Sequence, residues 1–435
     1  MIARLGAALS RLGERYLPDP FVLALGITVL VAGAALTTLS GTEVIGAWMD
    51  GFASPPLLGF ALQMCLVLVT GHALALSPPV QRAVRRLARI PKSAAQATAL
   101  VTFISCAAAV VHWGLGAIVG AFLAREVGRH AKAVGTRIHY PLLGAAAYTG
   151  MAVWHGGLSA SAPLKVAEAG HFAEDVAGVI SVNGTLFGTL NLVVTGGLMV
   201  GLPLLMMMLV PKELEEYQPP SHLPDDVDER DATSARDMWV AYAAGALGLA
   251  AVVTAWMSGE SNFDVNLMNF LFLFTGLLLQ GSIKHYVAAI ADGARGAGAI
   301  ILQFPFYFGI LGMMKAAGLV SALSAWMVSS TSATTFAPVA FLSSGLTNLA
   351  IPSGGGQWAI QGEWVLGAAS RLGVAPETAV MAFSYGDAWT NMLQPFWALP
   401  LLSIMGLKAK EIVGYTAVVF LFLGVVVPLA LVFLG

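Results

Sequence analysis

The chain has 435 residues, 57% of them hydrophobic and 11% charged, with a formal net charge of −2 and a mean hydropathy of +0.78. A soluble domain carries roughly a quarter charged residues, so a water-soluble globule is excluded, and the near-neutral balance leaves no basic surface for nucleic acid. The two cysteines, Cys65 and Cys106, lie inside apolar runs and read as small core residues rather than a disulfide or metal pair.

In chain order, residues 1–19 interleave arginines with apolar residues, as suits a helix lying in the plane of the inner surface. Apolar runs long enough to cross a bilayer follow at 20–40, 57–77, 140–162, 181–210, 238–257, 266–283, 299–317, 377–402 and 411–434. Two further apolar stretches, 97–124 and 334–369, are interrupted at their middles by glycine and polar residues, so each is expected to enter and leave on one side. With the N-terminus inside, that arrangement puts 19 of the 22 Lys and Arg residues in cytoplasmic loops, leaving Lys165, Lys315 and Arg371 outside. The excess of basic residues in cytoplasmic loops favours this orientation, with the C-terminus external. Residues 211–237 are polar, acidic and proline-containing, and read as a cytoplasmic linker between two halves.

The halves share an order of elements. Tyr148 is followed fifteen residues later by Pro163, and Tyr385 fifteen later by Pro400. Each tyrosine follows an interrupted segment, one with His112-Trp-Gly-Leu-Gly116 at its middle and the other with Pro352-Ser-Gly-Gly-Gly-Gln-Trp358. The span at 238–265 is the odd one between the halves, so the second half enters upside down. The expected fold is therefore an all-α polytopic membrane protein of two inverted repeats, 20–210 and 266–435. Each repeat holds a re-entrant hairpin (97–124, 334–369) and a broken helix, the plan of secondary transporters.

Non-helical backbone at membrane depth is tolerated where it is buried in protein or lines a water-filled cavity. Helix N-termini carry partial positive charge, and glycines let amide groups converge on an anion. Ser353, Gly354, Gly355 and Gly356 are thus the expected carboxylate nest, with Gln357 beside them and Gly114 and Gly116 as counterparts. Trp113 and Trp358 are expected to wall an apolar tail, and His112, His155, Ser159 and Ser161 to contribute polar contacts. Asp387 lies deep in a span, where a carboxylate costs about 2.5–3.5 kcal/mol on insertion scales. Asn391 and Gln394 follow it on the same nominal face, and no Lys or Arg lies near it in sequence. A cation, either proton or sodium, is expected there, with Asn348, Gly156 and Gly157 contributing. His72 reads as interfacial, and Asp292 with Arg295 as a surface pair.

Several stretches resemble the bacterial short-chain fatty acid transporter family across essentially the whole chain: Ile351-Pro-Ser-Gly-Gly-Gly-Gln-Trp358, Gln394-Pro-Phe-Trp-Ala-Leu-Pro400, Leu302-Gln-Phe-Pro-Phe-Tyr307, Val69-Thr-Gly-His-Ala-Leu74 and Leu17-Pro-Asp-Pro-Phe21. The resemblance implies a carrier of acetoacetate or butyrate in a bacterial inner membrane. It also implies a homodimer with a scaffold domain and a mobile domain, working as an elevator coupled to a cation gradient. His112 stands where the family often has Asn, and Asp387 where it often has Glu.

Two other classes compete. A carrier of another organic anion, such as a dicarboxylate, would want a second cation, and neither hairpin tip holds an obvious basic residue. An intramembrane enzyme would want a catalytic constellation, and no His-Glu-x-x-His motif or paired intramembrane aspartates occur in the sequence.

Overall fold

The structure, a computed structural model, describes residues 20–211, 214, 233–394 and 396–435. Residues 1–19, expected to lie in the plane of the membrane surface, most of the expected 211–237 linker and Pro395 lie outside the described residues. Helices make up the described chain, with no β-strand among them. Six are long and apolar enough to cross a membrane.

The first group comprises α1 (Pro20–Ala35), α2 (Gly41–Phe52), α3 (Pro55–Ala75), α11 (Ala235–Met257), α12 (Val265–Gln280) and α13 (Ile283–Ala316). Helix α13 packs along α1, α2 and α3, and α12 bridges α3 and α11. Close approach is bought by small residues. A Cβ on Gly51 would lie 2.3 Å from the Phe308 carbonyl oxygen, and one on Gly312 2.2 Å from that of Ala47. The outer face of α11 stays exposed, with Trp239, Leu247 and Met257 each more than two-thirds accessible.

The second group holds two helical hairpins. The first is α5 (Ala94–Val111) with α6 (Trp113–Ala133), approached by the short basic helix α4 (Pro78–Leu87). The second is α15 (Ala333–Ala350) with α16 (Gly354–Leu372), preceded by α14 (Leu319–Ser330). Each hairpin is followed by a helix that breaks. Helix α7 (Tyr140–Tyr148) gives way to two 3-10 turns, Thr149–Ala152 and Trp154–Gly156, then to α8 (Ser161–Lys165). Helix α17 (Pro376–Asn391) ends before a 3-10 turn, Phe396–Ala398, and α18 (Leu399–Met405). Both begin with a proline in the first turn, where its missing N–H costs nothing. The short α9 (Glu174–Ala177), then α10 (Thr189–Met208) and α19 (Ala409–Leu434), complete the group.

Four expectations about elements change. The runs at 266–283 and 299–317, read as two spans separated by a surface segment, belong to α12 and to a continuous 34-residue α13. The Ala- and Gly-rich stretch between them stays helical because it packs, Gly293 lying against the His72 ring. The run at 181–210 becomes helix only from Thr189. The hairpin arms reach beyond 97–124 and 334–369, to Ala94–Ala133 and Ala333–Leu372. Helices α2 and α14, absent from the periodicity reading, occupy supposed loops, and α2 is started by a Ser40–Glu43 capping box.

Candidate functional site

The two hairpin tips are built differently. At the first, α5 ends at Val111 and His112 turns extended, with φ −161° and ψ 124°. Its Nδ1 accepts from the Gly114 and Leu115 amides at 3.1 and 3.4 Å, so the imidazole serves as the N-cap of α6. The Trp113 amide donates to Ser159 Oγ at 2.9 Å, and the Gly116 amide to the His112 carbonyl at 2.9 Å. Protein acceptors thus engage the first four amides of α6. A Cβ on Gly116 would fall 2.5 Å from that of Ala109, so this glycine lets the two arms touch and is not part of an open nest.

At the second tip, Ser353 is extended and caps α16, its Oγ accepting from the Gly356 amide at 3.3 Å. The Gly354 and Gly355 amides stand in the first turn, where no carbonyl of their own helix can take them. Neither glycine has a positive φ, so backbone conformation is not the reason for glycine here. Close approach is the operative one. A Cβ on Gly354 would lie 2.4 Å from His155 Nε2 and 3.0 Å from Ser161 Oγ, whereas one on Gly355 would meet Phe60, Met64 and Phe304 at 3.2–3.3 Å.

A small cavity lies against this tip. Its polar end is formed by Ser353, Gly354, Gly355, Ser161 and Asn391, and its apolar walls by Trp113, Trp154, Trp397, Phe304, Met64, Met151 and Ile300. Three tryptophans fold around one another there, Trp113 sitting 5.5 Å from Trp397 and 6.2 Å from Trp154 between ring centroids. Trp397 Nε1 donates to the Pro352 carbonyl at 3.0 Å, fastening the second break to the second tip. No Lys or Arg lines the cavity among the described residues.

The two broken helices cross behind the cavity, and each holds the other's break. Tyr148 of α7 donates its hydroxyl to the Asn391 and Gln394 carbonyls at 2.9 and 3.1 Å. Tyr385 of α17 donates to Asn191 Oδ1 at 2.9 Å, and Asn191 Nδ2 in turn holds the Gly156 carbonyl at 2.9 Å. Gly156 and Gly157 give α10 and α5 room, since a Cβ there would strike Thr195 Oγ1 at 2.2 Å and the Val110 carbonyl at 2.1 Å. At the crossing, Asp387 Oδ2 lies 3.2 Å from His155 Nε2 and 3.3 Å from Asn391 Nδ2. Asp387 is 0% exposed and His155 1%.

The expected residues thus divide. Trp113, Ser161, Ser353, Gly354, Gly355 and Asn391 line the cavity; His155 and Asp387 meet directly behind it. Asn348 and Gln394 brace the second break, Asn348 Nδ2 reaching the Asp387 carbonyl at 2.9 Å and Gln394 Nε2 the Asn348 carbonyl at 2.7 Å. Gln357 ties α16 to α15 through Ser344, and Trp358 packs on Phe383 with ring centroids 4.8 Å apart. Neither of them, nor His112, lies on the cavity wall. His72 pairs with Asp292 at 2.8 Å on the accessible surface, beside the Asp292–Arg295 pair. Sequence reasoning missed Met64, Met151, Trp154, Ile300, Phe304 and Trp397. Three of these carried a signal, Trp154 beside His155 and Phe304 and Trp397 inside proline-broken aromatic runs.

Comparison with known proteins bears on the fold and the family. The structure resembles the crystal structure of the Alcanivorax borkumensis YdaH transporter, described as having an unusual topology, with a TM-score of 0.56. That likeness spans 95% of this chain and 97% of that one at 15% identity, and it speaks to the fold alone. A relative in Escherichia coli (strain K12), provisionally named a short-chain fatty acid transporter, is 39% identical over 99% of both chains. One in Haemophilus influenzae with the same provisional name is 36% identical over the full length of both. The family described as "Short chain fatty acid transporter" matches residues 1–434, and this chain belongs to that family.

Proposed function

We propose that the chain carries short-chain monocarboxylates such as butyrate or acetoacetate across a bacterial inner membrane, driven by a cation gradient. The observation that carries this reading is the cavity at the second hairpin tip. It offers amide and hydroxyl groups at its polar end, aromatic and aliphatic walls, and no Lys or Arg among the described residues. One carboxylate is matched by that polar end, with the helix N-terminus supplying favourable potential. The tail is sheltered by Trp113, Trp154, Trp397 and Phe304. A dicarboxylate would leave its second charge against tryptophan.

The two helix groups suggest how the site moves. Met64, Ile300 and Phe304 belong to the first group, and every other wall residue to the second. A displacement of the hairpin group along α3 and α13 would carry the polar end of the site away from these three side chains, as an elevator requires. Lys315 on α13 pairs with Glu363 on α16 across the same seam.

Competition against labelled butyrate uptake in proteoliposomes tests the substrate class. Each methylene buried contributes about 0.8 kcal/mol, roughly a fourfold gain in affinity, until the walls are reached. Inhibition should therefore rise from acetate through propionate to butyrate and then level or fall. Succinate and butyramide should compete weakly. Succinate competing as well as butyrate would overturn the monocarboxylate reading.

A further inference from the structure

We propose that the coupling cation is a proton and that His155 and Asp387 hold it jointly. This rests on the preceding reading of the chain as a monocarboxylate carrier, and it names the ion and the atoms.

The pair joins the two breaks: His155 stands in the 3-10 turn after α7, Asp387 on α17, and their Nε2 and Oδ2 are 3.2 Å apart. Both side chains are essentially inaccessible. The second atom of each, His155 Nδ1 and Asp387 Oδ1, is buried without a hydrogen-bond partner. The carboxylate is met by nitrogen donors, His155 Nε2 and Asn391 Nδ2. A sodium ion needs a shell of oxygens, whereas this pair offers a bare imidazole nitrogen and a bare carboxylate oxygen, either of which accepts a proton.

His112, at the end of α5, caps α6 through Nδ1 and keeps Nε2 without a hydrogen bond; the other titratable groups named here are engaged elsewhere. On α7, Tyr148 bonds the Asn391 and Gln394 carbonyls; on α17 itself, Tyr385 bonds Asn191. Lys165, on the same short helix as Ser161, pairs with Glu168 at 2.8 Å. From α5, Cys106 Sγ faces the Thr149 carbonyl. On α16, Glu363 pairs with Lys315, and on α19, Tyr415 bonds His139. Helices α10 and α15 present Asn191, Thr195, Ser344 and Asn348, which do not titrate.

Charge bookkeeping follows from one proton. Unprotonated, the pair carries one negative charge; protonated, it is neutral. The substrate carboxylate sits next door, because the Gly354 backbone passes directly over His155 Nε2. Proton and carboxylate together bring the local charge back to that of the empty, unprotonated carrier. Carboxylate alone would put two negative charges in one dry site. Binding of the two is therefore mutually favourable, and reciprocally so. One proton and one carboxylate enter from one side, an N–H or O–H bond forms on the pair, and it breaks on the other side as both leave, with no net charge moved.

The test is calorimetric titration of the purified full-length protein with butyrate, in sodium-free solution, from acid to alkaline pH in buffers of different ionisation enthalpy. Proton uptake per butyrate should approach about one at alkaline pH, where the free pair is unprotonated, and fall toward zero at acid pH, with affinity independent of sodium. Asp387→Asn and His155→Gln should each suppress the uptake and flatten the pH dependence. The wild-type pH series stands even where a variant fails to fold. Butyrate binding with no proton uptake at any pH, and affinity that rises with sodium, would overturn the proton assignment while leaving the monocarboxylate reading intact. No binding of butyrate by folded wild-type protein would overturn both.

Discussion

The two hairpin units run through the same elements in the same order, yet only one of them offers an open tip. In each, a serine on the first arm packs that arm onto the broken helix: Ser105 Oγ donates to the Ala147 carbonyl, just before Tyr148, and Ser344 Oγ to the Phe383 carbonyl, just before Tyr385. In each, the tyrosine secures the opposite break. The tips then part ways. His112 and Ser159 consume the amides at the start of α6, while Ser353 takes only that of Gly356 and not those of Gly354 and Gly355, which line the cavity. A shared frame can thus be kept for its geometry while the two tips are capped differently.

Alanine in place of the tip glycines should expose that asymmetry most strongly. Gly354→Ala places a methyl 2.4 Å from the His155 ring, which is penned in by Trp154, so butyrate uptake should fall by more than about tenfold. Gly355→Ala meets only tight contacts at 3.2–3.3 Å and should lower uptake several-fold, with longer acids suffering more. At the closed tip, Gly114→Ala finds ordinary contact with His112 at 3.4 Å and should stay within about twofold of wild type. Initial uptake rates normalised to protein in the membrane check the series. Equal losses at Gly354 and Gly114 would erase the distinction between the tips.

The crossed tyrosines should differ less. Tyr148→Phe leaves the Gln394 carbonyl without this donor, while the Asn391 carbonyl keeps the Gln394 amide at 3.1 Å. Tyr385→Phe leaves Asn191 Oδ1 still accepting from Thr195 at 2.8 Å. An unsatisfied buried group costs about 1–3 kcal/mol. Tyr148→Phe should therefore lower the melting temperature in detergent by more than Tyr385→Phe does. The reverse order would mean that the first break, not the second, leans on its tyrosine.

The frame was legible because membranes punish irregular backbone. Glycine and polar residues in the middle of 97–124 and 334–369 have few explanations other than hairpin tips, and the paired Tyr and Pro spacings mark the helices that break. The site was half legible. Ser353, Gly354 and Gly355 announce an N-terminal nest by type alone, and Asp387 announces itself by depth. That Asp387 meets His155 was not readable, since the contact joins distant residues on two crossing elements and no local spacing encodes it. His112 looked like a ligand residue, although its place immediately before a helix is that of an N-cap, a role its ring nitrogen fills. Trp358 and Trp397 could not be told apart by composition; which indole faces the cavity depends on the rotation of α16 and on where the 3-10 turn after α17 sets Trp397.

The most direct test of the central claim is a structure of the protein with butyrate bound. The carboxylate should lie within hydrogen-bond distance of the Gly354 or Gly355 amide and of Ser353 or Ser161, with the alkyl chain between Trp113, Trp154 and Trp397. Butyrate seated at the His112 tip, or with its carboxylate turned away from the second tip, would contradict it.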